Sequence, residues 1–129
     1  MDVLTHLLFQ DGRAREAAAW YVSLVPGSTV ERVVENDGGG ATVYFTLGGR
    51  GFIAFDSPIQ HGFGFTPAMS VFLRCDDEEQ VRRLFEQLAA DGEVTMPLGD
   101  YGFSSCFGWT VDRYGVSWQV GVADGDLAR

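Results

Sequence analysis

The sequence predicts an α+β chain made of two βαβββ modules in tandem. Three observations carry that expectation. Phe107 to Val122, FGWTVDRYGVSWQVGV, reads as two β-branched and aromatic arms around the turn Asp112-Arg113-Tyr114-Gly115. Phe45 to Phe55, FTLGGRGFIAF, repeats that pattern around Gly48-Gly49, with Gly51 and Gly115 standing 64 positions apart. The same offset sets Ala17-Ala18-Ala19-Trp20-Tyr21 against Val81-Arg82-Arg83-Leu84-Phe85 and Leu24 against Leu88, and pairs Phe45 with Trp109, Thr46 with Thr110 and Leu47 with Val111. A fixed offset through two helices and two hairpins is the mark of an internal repeat.

Taken in order, Val3 to Gln10 is a first strand with His6, Leu8 and Gln10 on one face and Thr5, Leu7 and Phe9 on the other. Asp11-Gly12 breaks it. Arg13 to Val25 is a helix with Ala17, Trp20, Tyr21 and Leu24 as its apolar stripe, ended by Pro26-Gly27. Ser28 to Glu35 is a strand, Asn36 to Gly40 a turn, and Ala41 to Leu47 with Gly51 to Asp56 the first hairpin. Residues 59–67 join a module at about 1–58 to one at about 68–123, and Phe63 and Phe65 are expected to pin that joint by burial. Met69 to Cys75 is a strand. Asp76 and Asp77 can cap a helix that runs to about Ala90 and buries Val81, Leu84, Phe85 and Leu88. Glu93 to Leu98 is a strand, Gly99 to Ser105 a longer connection, and Asp124 to Arg129 a polar tail. On the last strand Val116, Trp118, Val120 and Val122 share a face made to pack on a helix. Ser117, Gln119 and Gly121 share the other, which reads as the floor of a cavity.

Composition narrows the function classes. A chain of 129 residues makes one domain, or two small modules sharing a core. No apolar run reaches the length of a membrane span, and the N-terminus lacks a signal pattern, so no membrane partner and a cytoplasmic location are expected. Cys75 and Cys106 lack metal-type spacing and read as free thiols. A formal net charge of −9 argues against a nucleic-acid partner; it suits a solubilising exterior and weakly favours a cationic ligand.

Two such modules, with LLFQDGRAREAAAWYVSLVPGS (Leu7–Ser28) and GWxxDxxGxSWQ (Gly108–Gln119), resemble the vicinal oxygen chelate superfamily of glyoxalases, bleomycin-resistance proteins and extradiol dioxygenases. The motifs resemble most its PhnB-like branch, often called demethylubiquinone methyltransferase-like, over essentially the whole chain. The resemblance implies half-open, barrel-like sheets that form a cup (the glyoxalase-like fold), and a homodimer. It also implies ligand-binding positions at His6, Leu8, Phe55, Ser70, Phe72, Trp109 and Gln119. Four of these, His6, Phe55, Ser70 and Gln119, fall where the superfamily holds its metal.

That quartet is a degenerate metal site: Phe55 cannot ligate, Ser70 and Gln119 are weak neutral donors, and only His6 is a good ligand. No cofactor is therefore expected. Methyl transfer finds no visible basis either, since Gly38-Gly39-Gly40 and Gly48-Gly49 sit between strands and open no helix. His6 is the candidate catalytic group if there is one. Gln119 suits orienting a ligand or bonding to His6, Trp109 stacking on a ligand, and Tyr101 with Phe103 either a lid or an edge filling. His61 reads as an exposed or loop-stabilising residue. The leading expectation is a small-molecule-binding protein of this fold. The alternatives are a metal-assisted or His6-dependent lyase, isomerase or dioxygenase-like enzyme, and an antibiotic-sequestering resistance protein.

Overall fold

In the computed structural model, which describes residues 1–129, the N-terminal unit (Met1–Gly62) runs β1 (Thr5–Phe9), α1 (Ala14–Leu24), β2 (Thr29–Glu35), β3 (Ala41–Leu47) and β4 (Arg50–Asp56). The C-terminal unit (Phe63–Arg129) repeats that order as β5 (Val71–Cys75), α2 (Glu78–Ala89), β6 (Glu93–Gly99), β7 (Phe107–Val111) and β8 (Ser117–Val122), then adds a short 3-10 helix at Gly125–Leu127. The sheets have the orders β1-β4-β3-β2 and β5-β8-β7-β6. In each, the first strand lies parallel to the last and the other pairs are antiparallel. The chain is thus α+β, with two βαβββ units. No helix is long and apolar enough to cross a membrane.

Each sheet turns one face to its helix, and the alternation of residue types decides which. In β3, Ala41, Val43, Phe45 and Leu47 are buried while Thr42, Tyr44 and Thr46 are half-buried. Leu7, Phe9, Phe52 and Ala54 join the buried side, against Ala14, Ala17, Ala18 and Tyr21 of α1. In the second unit Trp118, Val120 and Val122 face Val81, Leu84, Phe85 and Leu88 of α2. Each large apolar side chain so buried contributes about 1.5–3 kcal/mol before entropy is counted.

Two buried carboxylates fix the corners. Asp56 accepts the backbone N–H of Ala14 at 2.9 Å and of Ala41 at 2.9 Å, which ties the start of α1 and the start of β3 to the end of β4. Asp112 accepts the N–H groups of Tyr114 and Val116 at the β7–β8 turn, where Gly115 takes φ 93°. Asp77 caps α2 by accepting the Gln80 N–H at 2.8 Å. Asp76 does not cap; its own N–H donates to the Gln80 side chain.

Several expectations need correction. The fixed offset fails at the first arm of each hairpin. Leu47 pairs with Arg50 across a two-residue turn, whereas Val111 pairs with Ser117 across five residues. The partner of Phe55 is Thr42 and that of Gln119 is Trp109, so Thr42, and not Phe45, corresponds to Trp109. The buried stripe of α1 is rotated toward its start; Trp20 and Leu24 are only half-buried. Phe63 is 62 % exposed and not buried as expected, while Phe65 is half-buried beside Gly115. The polar tail is held in place. Leu127 packs where a Gly121 Cβ would stand, and Arg129 pairs with Asp76 at 2.8 Å.

Candidate functional site

The seven positions expected to meet a ligand all lie on the sheet faces turned away from the helices, three in the first unit and four in the second. In the first, the register puts His6 opposite Ile53, Ile53 opposite Tyr44 and Tyr44 opposite Arg32, a single row across four strands. Leu8, Phe55 and Thr42 form the next row. His6 is exposed, with its ring 5.6 Å from that of Phe55 and no hydrogen-bond partner on either nitrogen. The Arg32 guanidinium lies 4.4 Å over the Tyr44 ring. Sequence reasoning missed Tyr44 and Arg32; the alternation of β3 contains the signal for Tyr44. A bulge at Glu31 shifts the parity of β2 and hides Arg32 from any pattern of alternate residues.

In the second unit the row is Phe72, Gln119, Trp109 and Met96. Here Ser70, Trp109 and Gln119 are joined by hydrogen bonds through Ser117, which the sequence places on the cavity floor but not among the ligand-binding positions. The Trp109 Nε1–H donates to Ser117 Oγ at 2.8 Å, Ser117 Oγ meets Ser70 Oγ at 2.7 Å, and Gln119 Nε2 donates to Ser70 Oγ at 3.3 Å. Gln119 Oε1 has no partner. The expected cavity floor is only partly open. Ser117 is 1 % exposed, and Gly121 lies under Leu127 and Phe107, which leaves Gln119 as the reachable residue of that face.

An aromatic group borders the network. Phe72 lies 6.1 Å from Phe107, Phe103 stands edge-on to Phe107 at 4.9 Å, and Tyr101 stacks on Phe103 at 6.2 Å. Tyr101 is further tied by its hydroxyl, which donates to the Pro97 carbonyl at 2.6 Å. Phe103 and Tyr101 therefore pack beside Phe107 as edge filling. Phe72 and Tyr101 keep about two-fifths of their surface, 41 % and 40 %. Of the two hairpin tryptophans, Trp118 is core at 0 % exposure and Trp109 is half-buried on the open face.

The four metal positions do not fit a divalent ion. Phe55 offers no donor atom, and Ser70 and Gln119 bring only neutral oxygens, with Ser70 Oγ already accepting the Gln119 amide N–H. No three His, Cys, Asp or Glu side chains cluster anywhere in the chain. The cysteines offer no nucleophile: burial first, then the charges of Asp76 and Asp77, pushes the Cys75 thiol up to about 11, and burial raises Cys106 too. His61 is a loop contact, with Nε2 2.9 Å from Ser57 Oγ. A groove of about 600 Å³ near the start of α1 is lined by Gly12, Arg15, Glu35 and Asp56 among others, and none of the expected site residues reaches it.

The sequence model of the 3-demethylubiquinone-9 3-methyltransferase family matches residues 1–121. The chain belongs to this family. A solved structure of a putative 3-demethylubiquinone-9 3-methyltransferase, the PhnB protein from Bacillus cereus, is 43% identical; the match covers 95% of this chain and 100% of that one, with a TM-score of 0.89. A protein from Pseudomonas aeruginosa is 27% identical over 95% of this chain and 97% of its own, with a TM-score of 0.81. A glyoxylase/bleomycin resistance protein/dioxygenase domain from Frankia sp. EAN1pec shares 12% identity over 95% and 90%, at a TM-score of 0.67, and so shows the fold alone. No curated protein sequence matches. The PhnB-like family and a glyoxalase-like fold are thus the chain's own.

Proposed function

We propose that this PhnB-like protein is a cytoplasmic binder of a small molecule, which it takes on the open sheet faces without a coordinated metal. The observation that carries the reading is the network of Ser70, Ser117, Trp109 and Gln119. It assembles polar groups on the open face of a sheet, beside exposed aromatic surface, and leaves an amide oxygen unspent. Polar groups converging among aromatic side chains are what ligand sites use to orient a bound molecule. The donor set supports the metal-free part, because two of its four positions are engaged with each other and one is a phenylalanine. A homodimer belongs to this reading, with β2 and β6 each ending its sheet in an unpaired edge.

The methyl transfer in the family's name would need a donor site. Gly38-Gly39-Gly40 closes the β2–β3 turn, where Asn36 N–H donates to the Gly40 carbonyl at 3.0 Å, and Gly48-Gly49 closes the β3–β4 turn. Neither run presents a helix N-terminus, which is why binding is placed ahead of transfer. One observation favours a second reading: His6 keeps an exposed, unpartnered imidazole, as a His6-dependent lyase or isomerase would require.

The test is a thermal-shift panel of small molecules, run without metal and with Zn(II), Ni(II), Mn(II) or Fe(II), on wild type, Gln119→Ala and His6→Ala. Stabilisation by a ligand in the absence of metal, reduced in Gln119→Ala, supports the binding reading. Stoichiometric metal that is lost in His6→Ala overturns it in favour of the enzyme.

A further inference from the structure

We infer that the second unit reads the edge of a planar group that carries an N–H donor and a C=O acceptor side by side: a lactam, a cyclic urea or a primary carboxamide. This rests on the binding reading above and names the ligand class for that site.

The hydrogen bonds of the network run in one direction. Ser117 is 1 % exposed, so its hydroxyl proton must find an acceptor inside the protein. Its oxygen already accepts the Trp109 indole N–H at 2.8 Å, and the acceptor in reach of its own proton is Ser70 Oγ at 2.7 Å. Ser117 therefore donates to Ser70. Ser70 Oγ also accepts from Gln119 Nε2 at 3.3 Å. A hydroxyl oxygen has two lone pairs, so both are now filled and the Ser70 proton is left over. Gln119 has spent one N–H on Ser70; its second N–H and its Oε1 are unspent. Both residues are half-buried, within reach of a ligand.

Beside the second Gln119 N–H, the unit thus sets a free donor, the Ser70 O–H, next to a free acceptor, Gln119 Oε1, on two side chains already bonded to each other. A ligand carbonyl accepts the Ser70 proton while the adjacent ligand N–H donates to Gln119 Oε1. A carboxylate brings only acceptors and would leave Oε1 without a donor; a guanidinium brings only donors and would leave the Ser70 proton unused. The flanks suit a flat ring. The register sets Phe72 on one side of Gln119 and Trp109 on the other, so aromatic surface borders the amide on both neighbouring strands.

The experiment compares 2-pyridone with 2-pyrone, which keeps the ring and the carbonyl and replaces the N–H by an oxygen. Binding to the full chain is read by ligand-observed NMR titration. The expected result is a preference of about tenfold for 2-pyridone in wild type, the effect of one unmade hydrogen bond at a partly buried acceptor. Gln119→Leu brings the two ligands to the same affinity, and Ser70→Ala weakens both, because both carry the carbonyl. Equal affinities in wild type overturn the inference and leave small-molecule binding standing. So does failure of both rings to bind while another compound of the thermal-shift panel does. If no compound of any class binds, the inference falls together with the reading beneath it.

Discussion

The indole N–H of Trp118 donates to Oδ2 of Asp112 at 2.8 Å, and both residues are buried, at 0 % and 3 % exposure. Oδ1 of the same carboxylate accepts the N–H groups of Tyr114 at 2.8 Å and Val116 at 3.1 Å. One side chain therefore closes the β7–β8 turn and seats the largest core residue of its unit. Asp112→Ala strands three donors, two backbone and one indole, in a buried place. The expected loss is about 3 kcal/mol, seen as a lower urea midpoint at unchanged slope. Asp112→Asn keeps the shape and one acceptor oxygen and should lose less. An alanine variant as stable as wild type would remove this carboxylate from the account of the hairpin.

Asp56 plays the matching part in the first unit by a different route. It bonds no side chain; its two oxygens take the Ala14 and Ala41 N–H groups, and Gly40 passes so close that a Cβ there would stand 2.7 Å from the Asp56 Cβ. The Ala14 N–H belongs to the first turn of α1, where no intrahelical acceptor exists. Asp56→Ala should cost about 2 kcal/mol. Hydrogen exchange should speed up first at the start of α1 and at Ala41. Uniform acceleration over the whole unit, with no local excess, would show that the carboxylate is not the anchor.

Alternation made most of this fold legible. The buried face of β3 follows from which positions are apolar, and so does the stripe of α2; in β4 the run Phe52-Ile53-Ala54-Phe55 is apolar on both faces and the buried Asp56 is charged, so pattern alone does not choose its face. The repeat misled at one place for a physical reason. Aligning two hairpins on their turn glycines assumes equal turns, but Gly48-Gly49 is three residues shorter than Asp112–Val116. An odd shift moves every side chain of a strand to the other face, so core Phe45 was set against open-face Trp109. In the site, Gln119 stood out as an amide between small residues. Ser117 did not, because a serine beside glycine and valine looks like filler until the hairpin brings Trp109 to it. Leu127 was illegible too. A single leucine in a polar tail acquires meaning only when Gly121 leaves it room.

Gly108 is fixed by packing. A Cβ added there would lie 2.6 Å from Phe85 Cε2 and 2.9 Å from Leu98 Cδ2. Gly108→Ala should destabilise by about 1–3 kcal/mol, through overpacking against α2. Phe85→Leu alone also destabilises, by shrinking the core. The double variant should lose less than the sum of the two, because the shorter side chain makes room for the new methyl. Denaturation midpoints of the four proteins give the coupling, and strict additivity would mean that Phe85 is not what Gly108 accommodates.

The buried thiols predict a chemical and a pH response. Only the thiolate attacks a disulfide reagent, and Cys75 lies near 11, above its ordinary 9.0, because of burial and then the charges of Asp76 and Asp77. At pH 8 the native chain should react slowly at Cys75 and at Cys106, and both should react promptly in urea. The unfolded chain loses the Cys75 proton first. The contribution of this group to stability is thus whole below pH 9 and is lost as pH rises from about 9 to about 11. Rapid labelling of the folded chain at pH 8 would contradict the placement of both thiols.

Ser117 links stability to the open face, and its substitution separates the two. In Ser117→Ala the Trp109 Nε1–H loses its acceptor at 2.8 Å and Ser70 loses its partner at 2.7 Å. An orphaned donor on a half-buried indole should cost about 1–2 kcal/mol. Because Trp109 is reached by water and Trp118 is not, the tryptophan emission of the native state should change while the core signal from Trp118 persists; Trp109→Phe supplies the reference spectrum. Ser117→Thr keeps the hydroxyl and should restore most of the stability, at a small cost for the extra methyl in a site that is 1 % exposed. If threonine and alanine behave alike, the hydroxyl is not what holds Trp109, and the direction of the hydrogen bonds toward Ser70 and Gln119 loses its origin.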